Sequence, residues 1–316
     1  VPDKRQQISQ TAFREVKELK RIAYFPGCSL TGLDSEYDHS SKLACRELGI
    51  DLVEVEDWNC CGATSAHSTD RELSVILPGR TLGIVEKMGL DTLTTPCAAC
   101  YSRFIMAQEI LKEKPEMASR LMPELGISSP DAIKVYSLLQ VISDLDQNII
   151  KEKIRVKLSG LKPACYYGCL LVRPSGLVGE KHPENPMAMD RLMSLFGAEP
   201  VTWYHKTECC GAALSLSRTD VVLELNTKLT TRARESGANC MVTSCPLCFT
   251  NLDLRQPQAR KHSGITDPPM PVFYFTELLA LGFGIPKNKL AFGKHIINTT
   301  PILKEIIGAG AVKGEN

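Results

Sequence analysis

Ten of the thirteen cysteines in this 316-residue chain fall into two matching sets, and thiols so grouped are suited to holding metal. The first set is Cys28, Cys60, Cys61, Cys97 and Cys100; the second is Cys169, Cys209, Cys210, Cys245 and Cys248. In each, a single cysteine is followed at a similar interval by a Cys-Cys-Gly triplet, and at a further similar interval by Cys-x-x-Cys. Soft thiolates select iron-sulfur clusters, zinc or copper(I). Four suffice for tetrahedral zinc or an ordinary cubane cluster, so the fifth is surplus to both and favours a site with several metal atoms. Adjacent cysteines point apart in regular structure. Both reach one site only through a tight turn, for which Gly62 and Gly211 supply the backbone freedom. The competing account, structural zinc plus buried thiols, explains Cys-x-x-Cys but leaves the doubled Cys-Cys-Gly array without a role.

The elements that must position these residues repeat with them. Tyr24-Phe25-Pro26-Gly27-Cys28 has its counterpart in Cys165-Tyr166-Tyr167-Gly168-Cys169, and the stretches around Cys60 and Cys97 have theirs around Cys209 and Cys245 in the same order. Three landmarks in one order mark a duplication. Short β-like runs ending at the cysteines alternate with helical stretches. In the first half the pattern predicts strands over 21–25, 51–55 and 92–95, and helices over 37–48, 71–88 and 102–112. In the second it predicts helices over 187–196 and 220–235, and strands over 200–204 and 240–243. The fold class is therefore α/β, with two pseudo-repeated halves of parallel sheet flanked by helices. Ligands in such sheets gather beyond the carboxyl ends of the strands, where these cysteines fall. The joint is placed near residue 155. This gives a helical extension over 1–20, a first half over 21–155, a second over 156–300 and a peripheral tail over 301–316.

The doubled pattern, opening with Tyr24-Phe25-Pro26-Gly27-Cys28-Ser29-Leu30 and resuming at Tyr166-Tyr167-Gly168-Cys169-Leu170-Leu171, resembles the CCG-domain family, and within it the B-type subunit of heterodisulfide reductase. The likeness covers roughly 21–283. It implies that each set of five cysteines holds a noncubane [4Fe-4S] cluster, in effect two fused [2Fe-2S] units, which gives the fifth thiolate a bridging role. It also implies a catalytic subunit that reduces or forms a disulfide in two one-electron steps, with no free protein thiol attacking the substrate. Implied partners are a small ferredoxin-like iron-sulfur subunit of the C type and, through it, a flavin-containing subunit of the A type. Where the methanogen enzymes read His-Tyr-Gly-Cys-His, this chain has Tyr166 and Leu170, so coenzyme M and coenzyme B are not assigned as its substrate. The alternative within the family is an electron-transfer subunit passing electrons to quinone in a 2-hydroxyacid, glycerol-3-phosphate or succinate oxidoreductase complex. Such relatives often carry ferredoxin-type cysteine runs, and this chain has none.

The remaining residues narrow the reading. A formal net charge of +1 leaves no nucleic-acid footprint. No apolar run reaches the roughly 18 residues of a membrane span, and the N-terminal stretch lacks the pattern of a secretory signal; a soluble, cytoplasmic protein is expected. Cys45 on a helix and Cys240 in a strand read as core packing. Cys165 lies four residues before Cys169; it is a further candidate ligand, although aligning Gly168-Cys169 with Gly27-Cys28 leaves it outside the motif. His205 and Lys206, just before the second Cys-Cys-Gly, are candidates for proton donation or for hydrogen bonds around the site, against the plain alternative of ordinary surface. The other histidines show no metal-like spacing. Nothing indicates flavin or nicotinamide binding, which leaves those cofactors to other subunits.

Overall fold

The structure, a computed structural model, describes residues 20–63 and 66–311. The proposed N-terminal helical extension lies outside the described residues but for Lys20, which opens the first strand. Among the described residues seven strands form two sheets: β1 (Lys20–Tyr24), β2 (Ile50–Glu54), β3 (Thr92–Thr95) and β4 (Lys134–Ser137) in the order β2-β1-β3-β4, and β5 (Pro163–Tyr166), β6 (Cys240–Thr243) and β7 (Val272–Tyr274) in the order β5-β6-β7. Every pairing is parallel. The central strands β3 and β6 are buried along their whole length, as expected where helices cover both faces of a parallel sheet.

Tight backbone approach sets the helix packing. Gly83, in the helix Leu73–Lys87, lies under the carbonyl of Leu125, where a Cβ would come within 1.8 Å of the oxygen. Gly282, at the end of the helix Phe275–Gly282, lies under the ring of Phe196, where a Cβ would come within 2.1 Å. Only glycine fits at either place.

One expected element is absent as such. Residues 200–204 run beside β5 without forming a strand. Glu199 N–H donates to Leu161 O at 2.8 Å and Val201 N–H to Pro163 O at 3.0 Å, so pairing begins. It then fails because the next carbonyl of β5, Cys165 O, is taken by the indole N–H of Trp203 at 3.0 Å. The second sheet thus has three strands where the first has four.

The halves meet along a buried seam. Tyr37 stacks on Tyr274 with centroids 4.0 Å apart, and its hydroxyl donates to Ser244 O at 3.0 Å. Ser40 and Thr276 hydroxyls pair at 2.7 Å. The helix Thr300–Ala311 buries Ile302, Leu303 and Ile306, so this stretch belongs to the packed body.

Candidate metal centre

The two cysteine sets sit at the carboxyl ends of the strands and are built alike. The chain leaves β1 at Tyr24 and turns through Gly27, at φ +72°, to place Cys28 on a single helical turn, Gly27–Leu30. The chain leaving β5 turns through Gly168, at φ +68°, to reach Cys169. A Cβ on Gly27 would lie 3.2 Å from Cys100 Sγ, and one on Gly168 would lie 3.0 Å from Cys248 Sγ. Each glycine thus lets the backbone lean against a thiol. The Cys-Cys-Gly triplets turn at Gly62 and Gly211, both with positive φ, whose N–H groups point at Cys60 Sγ (3.4 Å) and Cys209 Sγ (3.3 Å). Cys97 and Cys245 are the N-cap residues of the helices Ala98–Glu113 and Pro246–Leu252, with Cys100 and Cys248 in their first turns.

The thiols lie against one another in a nearly continuous array. Cys61 Sγ is 3.2 Å from Cys100 Sγ, and Cys210 Sγ is 3.5 Å from Cys248 Sγ. Cys97 bonds to Cys100 on its own side and to Cys245 across the seam, so the two sets touch through their Cys-x-x-Cys motifs. Cys169 pairs with Cys209, and Cys28 lies within electrostatic reach of Cys60. Cys28, Cys60 and Cys209 are exposed, Cys169 is half-buried and the other six are buried. The array therefore runs from one solvent-facing end, through the seam, to another.

Sharing of protons polarises it. The thiols of Cys100 and Cys60 pull Cys61 down to about 4, while Cys60 is pushed up by the same contact with Cys61 and by burial. Cys169 pulls Cys209 down to about 6. Cys245 is held well below the ordinary thiol range by Cys248 and Cys97. Thiolates that exist near neutral pH are the form a metal binds.

These donors fit a polynuclear iron-sulfur group. The contacts within each set are sulfur to sulfur, and the turns at Gly27 and Gly168 bring the backbone closer to the thiols than a side chain there would comfortably allow. Among the described residues no group of three or more Cys, His, Asp or Glu is arranged around the position of a single ion.

The three other cysteines stand apart. Cys45 is buried and pushed up to about 12 by burial; Cys240, in β6, is pushed up for the same reason. Cys165 is buried within β5, far above the ordinary range, and among cysteines feels only Cys240. Lys206 is not surface: it is buried, with Nζ 2.7 Å from Asp190 Oδ1. Asp190 also accepts the Tyr167 hydroxyl at 2.7 Å. Lys206 O takes the N–H groups of Tyr167 and Gly168 at 2.9 and 3.1 Å, which fixes the turn before Cys169. His205 is half-buried, with Nδ1 2.8 Å from Glu208, which also pairs with Lys228.

Sequence reading missed Asp34. This buried residue follows the Cys28 turn, and its Oδ1 accepts the Tyr274 hydroxyl at 2.8 Å and the Thr250 hydroxyl at 3.3 Å, both from the other half. Burial pushes its carboxyl up to about 7. No motif flags it; the signal is the meeting of three distant segments.

The profile of the family described as "Cysteine-rich domain" matches residues 22–105 and again 164–253. The chain belongs to the cysteine-rich domain family. The two matches coincide with the two halves, and each carries one full set of five cysteines. Over 90% of its length the chain is 31% identical to the 8-methylmenaquinol:fumarate reductase membrane anchor subunit of Wolinella succinogenes, covering 99% of that protein. Over 92% it is 28% identical to the B-type subunit of a CoB-CoM heterodisulfide reductase of Methanosarcina acetivorans, again covering 99%. In fold it is similar to the crystal structure of a hypothetical protein from Helicobacter pylori, with a TM-score of 0.64 at 14% identity, over 89% of this chain and 52% of that one. These relatives bear out the expected family, and the parallel sheets flanked by helices bear out the expected fold class.

Proposed function

We propose that this cysteine-rich domain protein is the catalytic iron-sulfur subunit of a heterodisulfide reductase-like complex. On this reading Cys28, Cys60, Cys61, Cys97 and Cys100 hold one noncubane [4Fe-4S] cluster, and Cys169, Cys209, Cys210, Cys245 and Cys248 hold a second. The observation that carries it is the contact of Cys97 with Cys245, which joins two five-thiol sets at one seam. Two such clusters would supply two one-electron donors side by side, and cleavage of a disulfide to two thiols takes two electrons. The chain's own contributions are positional. Gly27 and Gly168 let the turns close on the thiols, Lys206 fixes the second turn, and the buried flanks of Cys97 and Cys245 exclude water. The exposed Cys28, Cys60 and Cys209 mark the solvent-facing ends of the array. Electrons would arrive from a small ferredoxin-like partner and, behind it, a flavoprotein.

A second reading is favoured by the 31% identical fumarate reductase relative: an electron-transfer subunit exchanging electrons with quinone. Tyr166 agrees with it in one respect. It stands where the methanogen enzymes carry a histidine, and its hydroxyl is spent on Glu208 O at 2.5 Å. Among the described residues no helix is long and apolar enough to cross a membrane, so quinone would be met at the surface or through a partner.

Anaerobic purification with iron and sulfide analysis tests the common part. About eight iron and eight sulfide per chain, with EPR or Mössbauer signals unlike a cubane, is the expected result; zinc without sulfide would overturn both readings. Adding a disulfide or a quinone analogue to the reduced protein separates them by which one perturbs the signals.

A further inference from the structure

Cleaving a disulfide requires protons as well as electrons: R–S–S–R′ + 2 e⁻ + 2 H⁺ gives RSH and R′SH. The neighbourhood of the thiol array offers few groups that could give a proton at neutral pH. The Tyr37, Tyr166, Tyr167 and Tyr274 hydroxyls are all pushed well above their ordinary range by burial and stay protonated. Lys206 is engaged by Asp190, and His205 by Glu208. Asp253, another buried carboxyl of this region, accepts the backbone N–H groups of Ile296 and Ile297 at 2.7 and 3.1 Å.

Asp34 differs from these in its geometry. Its loop is closed by Asp34 N–H on Ser29 O at 3.0 Å, directly after Cys28. Its Oδ1 is fixed from across the seam by Tyr274, the last residue of β7, and by Thr250, on the helix that carries Cys248. No basic side chain bonds to it, and Oδ2 accepts no hydrogen bond among the described residues. The charged groups that face it are Glu36 on the adjoining helix and Cys245 at the head of the helix bearing Thr250. Behind Glu36 stand Glu277, Lys294 and His295, which engage Glu36 or one another. A carboxyl held at one oxygen and free at the other, in a buried seam beside both cysteine sets, has the geometry of a proton relay.

We propose that Asp34 is a proton-transfer residue of the two-site centre, giving one of the two protons to a thiolate released at the seam and regaining it from solvent through Oδ2. This rests on the disulfide reading above. Burial, with the charge of Glu36, pushes the carboxyl up to about 7, where donor and acceptor forms coexist at working pH.

The test uses the full chain, purified anaerobically with its iron and sulfide. Difference infrared spectroscopy between wild type and Asp34→Asn should reveal a protonated carboxyl band in wild type that titrates near pH 7. Tyr274→Phe, which removes a hydrogen bond to the carboxylate, should move that titration upward. Asp34→Asn keeps both acceptor contacts at Oδ1 and so should retain fold and iron. It should lower disulfide turnover about 100-fold and abolish the pH dependence of the rate around neutrality, while Asp34→Glu restores part of both. Full turnover with an unchanged pH profile in an iron-replete Asp34→Asn protein would overturn the proposal, as would a carboxyl band that titrates near pH 4 or is unmoved by Tyr274→Phe. Absence of iron and sulfide from the wild type would sink the disulfide reading instead, leaving the infrared titration of Asp34 intact.

Discussion

The two cysteine sites share one arrangement of thiols and rest on different foundations. Gly27 and Gly168 close the same turn, Gly62 and Gly211 the same triplet, and the Cys61–Cys100 and Cys210–Cys248 contacts are alike at 3.2 and 3.5 Å. Behind the first site the support is mostly aromatic: Phe25 meets Trp58 and Phe104 edge-on at 5.2 and 5.0 Å. Behind the second it is polar, with Tyr167, Asp190 and Lys206 forming a buried network and Tyr166 tied to Glu208 O. Six residues after Cys28 stands Asp34; six after Cys169 stands Ser175. Duplication therefore kept the cysteines and their glycine turns and let the packing behind them diverge, so that the carboxyl at the first site has no counterpart at the second.

The largest break in this symmetry should come from the sulfurs. Cys61→Ala should remove iron from the first site and leave the second, so that iron analysis returns about half the wild-type content. Cys245→Ala should reach further. Because Cys245 touches Cys97, it should empty the second site and also alter the first site's EPR signal. An unaltered first signal would show that the two sets are independent.

Next in size is the polar foundation of the second site. Lys206→Met leaves Asp190 buried without its cation and should cost about 3–5 kcal/mol, measured by denaturant unfolding. Trp58→Ala, on the aromatic side, should cost about 3 kcal/mol through lost packing. Only the first should be rescued in part by a second change, Asp190→Asn.

Close helix contacts give a comparison of similar scale. Gly83→Ala in the first half and Gly282→Ala in the second should each destabilise by about 3 kcal/mol or less, with the first the worse. Gly83 faces a backbone carbonyl, which cannot move away, and Gly282 faces a ring, which can turn. Equal losses would contradict that distinction.

The smallest expected effect is on pH dependence. Asp34 binds its proton more tightly folded, at about 7, than unfolded, at about 3.9. The native state then holds more protons between those values, so stability declines as pH rises from about 4 through about 7. Asp34→Asn should flatten that slope in thermal unfolding of the full chain without lowering stability at neutral pH.

The sites were largely legible in the sequence and the seam was not. Thiols and glycines carry their chemistry in their identity, so the ten cysteines and the turns at Gly62 and Gly211 could be placed before any fold. β3 and β6 were found at their observed bounds because each ends at a Cys-x-x-Cys motif. The helix predicted over 102–112 in fact starts at Ala98, since its first turn is built from the motif itself. β4, β5 and β7 went unseen: all three are short and close sheet edges, and β4 and β7 have no cysteine to mark them. The run 200–204 has strand composition, but Trp203 turns its indole onto the carbonyl that a ladder would use. Asp34 and Tyr274 stand at opposite ends of the chain, with Thr250 near the second, and no local pattern links them.

The burial of the central thiols bears on how the protein is made. Cys97, Cys100, Cys245 and Cys248 are each less than a tenth exposed, and two of them face each other where the halves join. On the proposed reading, iron and sulfide would reach these four thiols more readily before the stacking of Tyr37 on Tyr274 is complete, so that loading the centre and closing the halves would be coupled.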